Sequence, residues 1–275
     1  MNDTQGHQVQ PRAVIIHKKW GETPLMCLEA VRSLYKIPKT TPMTYAGRLD
    51  PLATGTLIIL IGKECLQKDA YLGFDKEYRA QFACGIATDT GDIFGLITKV
   101  SSEVVGSKDF ALSNAHLLHA EQVCRAITEQ QYPLFSSKKV QGKQLFEHGL
   151  EGNAAVDRPY RAVTIHSCNL TLGKQIAVHD VYDQVCRAAQ ELGNGFRTDQ
   201  IVTDWSVLIK DGVMVSATLP TITMNCKVSS GTYIRGFSDT LAQEFKQPWL
   251  MTSLHRERIG EYECPQAPHD TFVIR

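Results

Sequence analysis

Residues 45–61 read YAGRLDPLATGTLIILI, and this stretch joins the two features that decide how the chain folds. Two glycines frame an Asp50-Pro51 step, and the proline forces Asp50 out of helical conformation. Asp50 could therefore cap a short helix that begins at Pro51, or it could present a fixed carboxylate to another chain that the glycines allow to approach. The aliphatic run Leu57–Ile61 that follows predicts a strand buried on both faces.

Hydrophobic periodicity extends the assignment along the chain in both directions from this stretch. It predicts strands at Ala13–His17, Thr56–Gly62 and Glu77–Gly85, helices at Pro24–Lys36 and Glu64–Leu72, and a helix capped by Ser113 that continues through Glu129. It then predicts β structure from Arg161, a strand with Met224, Cys226 and Val228 on one face, and a last helix at Ile234–Phe245. Strands and helices are mixed without steady βαβ spacing. The predicted fold class is therefore α+β, with a central, mostly antiparallel mixed sheet flanked by helices.

Residues 173–220 form a block that could be an insertion or a small subdomain. The block contains a helical pattern at Val181–Leu192 and a strand-like segment at Trp205–Ile209. Turn signals at Gly193-Asn194-Gly195 and at Asp211-Gly212 bound these two segments.

The composition of the 275 residues is that of an ordinary soluble globular protein, with 43% hydrophobic residues and 29 positive against 29 negative charges. No apolar run approaches the roughly 20 residues that cross a bilayer, and the N-terminus has no targeting pattern, which predicts a cytoplasmic protein. The eight cysteines are scattered without a CxxC pair, which argues against a zinc site and against a disulfide framework. Taken alone, the zero net charge argues against a nucleic-acid partner.

Five motifs, in order along the chain, resemble those of one enzyme family. They are Gly47–Gly55, Lys76-Glu77-Tyr78-Arg79 with Gly85–Asp92, Phe135–Lys143, Ser230–Arg235 and Leu254-His255-Arg256. Together they are similar to the motifs of the TruB-type pseudouridine synthases, which isomerise the T-loop uridine of transfer RNA. The resemblance extends from about residue 13 to residue 260. It implies the pseudouridine synthase fold, an isomerase that acts on position 55 of tRNA, and no cofactor or metal.

The resemblance also implies three catalytic residues. Asp50 corresponds to the nucleophile. Three paths stay open: Asp50 could attack the uracil ring, attack the ribose, or abstract a sugar proton on the way to a glycal. Tyr78 corresponds to the tyrosine that stacks on the flipped uracil and helps remove the C5 proton, although it could also be a core tyrosine of its strand. Arg235 corresponds to the arginine that orients the catalytic carboxylate by a bidentate contact.

Further residues are predicted to bind the RNA. Gly47 and Arg48 belong to the catalytic motif, and Tyr45 stands where many family members have a histidine that displaces a loop base. Leu254 corresponds to a leucine that packs around the target base, although it could also be a core leucine. Tyr233, on the other strand face from Arg235, could line the pocket or merely pack. The predicted phosphate contacts are basic side chains, which are Lys138, Lys139, Lys143, Arg158 and Arg161.

The predicted domain organisation is a flexible N-terminus at 1–12, a catalytic domain at 13–260 and a tail at 261–275 that is too short for the PUA domain of many relatives. The predicted partner is the T-arm of tRNA, bound by a monomer without membrane or metal. Two other hypotheses stay open, which are a synthase of the same fold with another RNA target and a non-catalytic RNA-binding or RNA-folding module. The zero net charge is compatible with RNA if the basic residues are sorted onto one face, at 138–161 and at Arg235, Arg256 and Arg258.

Overall fold

A computed structural model describes residues 11–107, 110–193, 197–210, 217–266 and 271–274 of this chain. The chain divides into two compact units, the first formed by residues 1–74 and 256–275 and the second by residues 75–255. The chain therefore leaves the first unit after residue 74 and returns to it at residue 256. No helix in the described part of the chain combines the length and the hydropathy that a membrane span requires.

The described elements follow one another in a mixed order. The strands are β1 (Ala13–Lys18), β2 (Met43–Ala46), β3 (Thr54–Ile61), β4 (Lys76–Cys84), β5 (Ile86–Thr88), β6 (Ile97–Val100), β7 (Glu129–Gln131), β8 (Lys139–Val140), β9 (Lys143–Gln144), β10 (Tyr160–Ala162), β11 (Ile165–Leu172), β12 (Ile176–Ala177), β13 (Thr218–Leu219), β14 (Thr221–Val228), β15 (Trp249–Ile259), β16 (Tyr262–Glu263) and β17 (Thr271–Ile274). The α-helices are α1 (Pro24–Leu34), α2 (Lys68–Gly73), α3 (Asn114–Arg125), α4 (Leu145–Leu150), α5 (Val178–Leu192), α6 (Thr198–Lys210) and α7 (Phe237–Phe245). Short 3₁₀ helices at Gly62–Gln67 and Ile234–Gly236 precede α2 and α7.

The first unit is organised around β3. Strand β1 pairs antiparallel with β3 on one side and with β17 on the other, and β2 also pairs with β3. Residues 57, 59 and 61 of β3 pack with α1 in one apolar cluster, whereas residues 58 and 60 pack with Tyr71 and Ile259 in another. The uninterrupted apolar run is thus explained by burial on both faces of the sheet. Strand β17 lies within the segment 261–275 that was predicted as a tail.

The second unit contains a sheet in the order β11-β14-β4-β15, in which the β11–β14 and β14–β4 pairs are antiparallel. Tyr78, Ala80, Phe82 and Cys84 are all buried, as the alternation in β4 predicts. Helix α3 begins after Ser113, whose side chain accepts a hydrogen bond from the backbone N–H of His116. This capping matches the prediction from sequence.

The fold class is confirmed as α+β with a mostly antiparallel sheet. The strand predicted at Trp205–Ile209 is wrong, because this segment belongs to α6, and Ile201 and Trp205 bury one face of that helix. Strands β12 and β13 pair at the base of the helical pair α5–α6, which is inserted between β11 and β14. The predicted turns at Asn194-Gly195 and Asp211-Gly212 lie outside the described residues, as do residues 1–10 of the predicted flexible N-terminus.

Candidate active site

Asp50 lies in a tight turn between β2 and β3. The backbone N–H of Ala53 donates to the carbonyl of Asp50 at 3.0 Å, and Pro51 occupies the second position of this turn, which its fixed φ favours. No helix begins at Pro51 within this described segment, because the chain enters β3 directly at Thr54. The helix-cap interpretation of Asp50 is therefore wrong, and its half-buried side chain lies on a turn instead.

A fully buried lysine holds this turn in place. Lys18, the last residue of β1, has an exposed fraction of 0%, and its Nζ donates to the carbonyl oxygens of Pro51 at 3.0 Å and Ala53 at 2.6 Å. A third contact joins Nζ to the carbonyl of Lys19 at 3.0 Å. Sequence analysis did not identify Lys18, since nothing in the sequence distinguishes it from the neighbouring Lys19.

A buried arginine holds the other end of the same loop. Arg256 has an exposed fraction of 1%, and its Nε donates to the carbonyl of Thr56 at 2.8 Å while Nη1 donates to the carbonyl of Arg48 at 3.1 Å. The Thr56 hydroxyl in turn lies 3.0 Å from the carbonyl of Arg256. Two buried cations therefore fix the backbone on both sides of Asp50. Such preorganisation suits a carboxylate that must meet a substrate in one geometry.

Burial lowers the pKa of Lys18 from 10.5 to about 8, and the nearby Arg256 adds to this effect, whereas Cys27, Glu22 and Asp50 oppose it. The ammonium has three donors for three carbonyls, so its protonated form matches the site. The cost of keeping this charge buried is largest below about pH 8 and disappears as the pH passes 10.5.

The variant Lys18→Met tests this linkage. Between about pH 8 and 10.5 the unfolded chain holds the Lys18 proton and the folded chain does not, so raising the pH favours folding of the wild type. We expect the free energy of unfolding of the wild type minus that of Lys18→Met to rise by about 2 kcal/mol from about pH 7.5 to about pH 10. Urea unfolding at each pH measures the difference, and Lys39→Met, which removes an exposed lysine, is the matched control. A flat or falling difference for Lys18→Met would contradict the assignment.

The remaining predicted residues of the first unit border the Asp50 turn in sequence. Tyr45, in β2, is half-buried against the apolar cluster of β1, β3 and α1, and Lys68 Nζ lies 5.9 Å from its ring centre. Gly47 has a positive φ of 86°, and a side chain there would contact Arg256 Nη1 at 3.7 Å. Arg48 exposes its side chain while its carbonyl accepts from Arg256.

In the second unit, Tyr78 and Leu254 are buried, each with an exposed fraction of 8%. Tyr78 lies in β4 opposite Cys226 of β14, and Leu254 lies in β15. The burial of Tyr78 is compatible with both of its predicted roles, core tyrosine and stacking residue.

Arg235 lies in the 3₁₀ helix Ile234–Gly236 and not on a strand. The prediction that Tyr233 and Arg235 occupy opposite strand faces is therefore wrong, because β14 ends at Val228. The Arg235 guanidinium is buried, donating from Nη2 to the carbonyl of Phe135 at 2.9 Å, and its Nη1 lies 3.8 Å from Asp92 Oδ2. The motifs at 135–143, 85–92 and 230–235 thus meet at Arg235.

Aromatic and basic side chains lie around the loop that leads to Arg235. The rings of Tyr233 and Tyr132 meet edge to face at 5.8 Å, and Lys138 Nζ lies 5.2 Å from the centre of the Tyr132 ring. A side chain at Gly231 would overlap the Arg161 guanidinium, with 1.9 Å to its central carbon. This part of the second unit brings together an aromatic surface and cations, a combination that suits bases and phosphates.

Other members of the predicted basic surface are arranged differently. Lys143 forms an ion pair with Glu151 at 2.7 Å, and this partner raises the pKa of Lys143. Arg235 and Arg256 are buried, and Arg258 pairs with Glu263. The group Arg235, Arg256 and Arg258 is therefore not an exposed basic face, because its members bind the protein's own carbonyls and carboxylates.

The family model described as "TruB family pseudouridylate synthase (N terminal domain)" matches residues 33–183, more than half of the chain. The tRNA pseudouridine synthase B of Chlamydia pneumoniae is 33% identical over 154 residues, which cover 56% of this chain and 61% of that protein. The tRNA pseudouridine synthase B of Limosilactobacillus reuteri is 27% identical over 251 residues, 91% of this chain and 68% of that protein. The first of these matches thus spans about three fifths of the length of the curated relative.

Solved structures also share the fold. A chain from the crystal structure of a Cbf5-Nop10-Gar1 complex superposes with a TM-score of 0.53 at 15% identity, covering 92% of this chain and 50% of that chain. A chain from the archaeal box H/ACA sRNP Nop10-Cbf5 complex gives a TM-score of 0.50 at 12% identity, covering 92% and 49%. At these identities the likeness concerns the fold alone.

Proposed function

This chain belongs to the TruB family of pseudouridylate synthases, and on that basis we propose that it isomerises uridine to pseudouridine in tRNA. The observation that carries the proposal is the Asp50 turn, which lies within the matched residues and is held by two buried cations, Lys18 and Arg256. The relatives named tRNA pseudouridine synthase B support tRNA as the class of substrate.

We further propose that the target is the T-loop uridine at position 55. The enzyme would flip this uridine out of the loop at a cost of a few kcal/mol of unstacking, and Asp50 would form a covalent adduct. The C1′–N1 bond breaks, the freed uracil turns, and a C1′–C5 bond forms. C5 loses its proton, N1 gains one and the Asp50 adduct is released, so that the carboxylate is regenerated and the product is an isomer of the substrate. Tyr78 is the proposed stacking residue and the proposed group for that proton.

The aromatic and basic surface of the second unit supports this choice of substrate. Tyr233 offers a ring next to Tyr132, and Lys138 and Arg161 supply positive charge beside it. Contacts of this kind bind a single-stranded loop through stacking and phosphate neutralisation. Lys143 would contribute less, since Glu151 already neutralises it.

The test is an assay with an unmodified T-arm hairpin and, in parallel, a hairpin that lacks the loop uridine. Under single-turnover conditions we expect pseudouridine at the T-loop position of the first RNA and none in the second. If the wild-type protein binds the hairpin but forms no pseudouridine, the chain is an RNA-binding module and the proposed activity is wrong. If it modifies a different uridine, the activity stands and the assignment of position 55 is wrong.

The variant Arg235→Lys should separate catalysis from binding. A lysine offers one nitrogen in place of the two guanidinium nitrogens that face the Phe135 carbonyl and Asp92, so the forked geometry is lost while the charge stays. We expect the single-turnover rate to fall on the order of 100-fold, with the Kd for the hairpin changed less than about 3-fold. Arg187→Lys, at an exposed position of α5, is the matched control. Equal losses in rate and affinity would contradict a role in positioning the reacting groups.

A further inference from the structure

Helix α6 of the pair α5–α6, with the residue that precedes it, contacts the segment that connects β5 and β6, here called the β5–β6 loop (Asp89–Leu96). Arg197, immediately before α6, donates from Nη1 to Asp89 Oδ2 at 2.8 Å and from Nη2 to Asp89 Oδ1 at 3.3 Å. Two residues within α6 contact the end of the same loop. Trp205 Nε1 donates to the carbonyl of Gly95 at 3.2 Å, and Asp204 Oδ2 accepts from the backbone N–H of Ile97 at 2.6 Å.

These contacts are shielded from solvent. The Trp205 side chain is fully buried, and the Arg197 and Asp89 side chains have exposed fractions of 14% and 23%. The Arg197 guanidinium carbon also lies 4.2 Å from the centre of the Phe135 ring, which allows a cation–π contact. Arg197 has a positive φ of 58°, a conformation that an arginine adopts at a cost of about 1 kcal/mol or more. The packing therefore compensates for backbone strain at this residue.

The β5–β6 loop also packs against the neighbourhood of Arg235, within the same unit. Asp92 Oδ2 lies 3.8 Å from Arg235 Nη1, and Ser238 Oγ lies 2.8 Å from the carbonyl of Gly91 and 2.6 Å from the carbonyl of Arg235. Phe135, whose ring faces Arg197, accepts a hydrogen bond from Arg235 through its carbonyl. Arg197 is thus connected to Arg235 by two routes, one through the loop and one through Phe135.

We propose that Arg197 is a positioning residue for Arg235, and that the inserted pair α5–α6 serves as a brace for the β5–β6 loop. A bidentate guanidinium–carboxylate contact fixes both the position and the orientation of Asp89, which a single charge would not do. The consequence for catalysis rests on the proposed pseudouridine synthesis. The consequence for the Arg235 side chain is a property of the folded protein and is measurable without any reaction.

The experiment compares the full-length wild type with Arg197→Met, Arg197→Lys and the control Lys210→Met, which removes an exposed charge from the end of the same helical pair. Three quantities are measured for each protein. They are the single-turnover rate of pseudouridine formation on the T-arm hairpin, the Kd for that hairpin, and the Arg235 Nε–H resonance in ¹⁵N-labelled protein, assigned by its absence from Arg235→Lys.

We expect Arg197→Met to lower the rate by about 10- to 100-fold with a Kd within about 2-fold of the wild type, and to shift the Arg235 resonance. The rate of Arg197→Lys should lie between those of the wild type and Arg197→Met. If Arg197→Met does not fold, Arg197→Lys takes its place in the comparison. Lys210→Met should match the wild type. The proposal is overturned if the folded Arg197 variants match Lys210→Met in rate and in the Arg235 resonance, or if they lose only stability or RNA affinity. If the wild type forms no pseudouridine, the proposed function fails, and the Arg235 resonance alone then decides the role of Arg197.

Discussion

The variant Asp50→Asn is expected to abolish pseudouridine formation while leaving the protein folded and able to bind RNA. The amide has nearly the same size as the carboxylate, and the turn is closed by the backbone bond from Ala53 to the carbonyl of Asp50, which the substitution leaves in place. Lys18 and Arg256 bind backbone carbonyls in this loop, so their contacts also survive. The substitution removes the negative charge and one oxygen of the proposed nucleophile.

We expect the single-turnover rate on the T-arm hairpin to fall by roughly 10⁴-fold or more, since removal of a catalytic nucleophile has effects of this size or larger. The Kd for the hairpin and the midpoint of urea unfolding should stay close to wild type. Asp69→Asn makes the same chemical change at an exposed position of α2 in the same unit and should retain full activity. Full turnover by Asp50→Asn would remove Asp50 from the mechanism.

The variant Gly55→Ala should give the largest loss of stability. Gly55 has a positive φ of 111°, and a Cβ atom there would lie 2.2 Å from the carbonyl oxygen of Arg256 and 2.7 Å from its backbone nitrogen. Both contacts are to the backbone of Arg256, and Gly55 also pairs with Lys18 of β1. Neither backbone can shift to make room without disturbing strand pairing. Strain and overpacking together should lower the free energy of unfolding on the order of 3 kcal/mol or more.

Gly62→Ala is the matched control for this prediction. Gly62 lies in the same unit with a positive φ of 62°, and nothing lies within 4 Å of a Cβ built there. In Gly62→Ala the free energy of unfolding should therefore fall only by the cost of a positive φ in alanine, about 1 kcal/mol. Urea unfolding of Gly62→Ala measures the cost of a left-handed alanine alone, and the additional loss in Gly55→Ala measures its less accessible φ together with the approach of Arg256. Equal losses for the two variants would show that the approach of Arg256 does not constrain Gly55.

Local sequence rules predicted the elements whose burial follows a simple period. The run Leu57–Ile61 is the central strand β3, and helix α1 begins at Pro24 after the Thr23 cap. Trp205–Ile209 was assigned wrongly because a short apolar run fits either a strand or one face of a helix. Its helical state depends on packing against α5 and on the bond from Trp205 to Gly95, which no local pattern contains.

The predicted site residues come from motifs, whereas some of the residues that contact these motifs in the structure are distant in sequence. Asp50, Tyr78 and Arg235 were predicted from motifs and stay predictions. Arg256 also lies in a motif, but its contacts with Arg48 and Thr56 were not predicted, and Lys18 and Arg197 were not singled out at all. Lys18 reaches Pro51 across 33 positions, and Arg256 reaches Arg48 across 208. In the sequence Lys18 and Arg197 resemble ordinary surface cations, and only the fold shows that they are buried or largely shielded.

Because Arg48 and Arg256 are far apart in sequence, the contacts around Asp50 can be completed only late in translation. A ribosome synthesises the Asp50 turn early, but the arginine that ties Arg48 and Thr56 emerges only after all of residues 75–255. The edge of strand β1 that pairs with β17 likewise stays unpaired until residues 271–274 have been synthesised. A nascent chain or a truncated product that stops before Arg256 would contain the whole second unit. The loop around Asp50 would then lack the hydrogen bonds that Arg256 donates to Arg48 and Thr56. Premature termination should therefore yield a protein without a working site, even where most of its residues have folded.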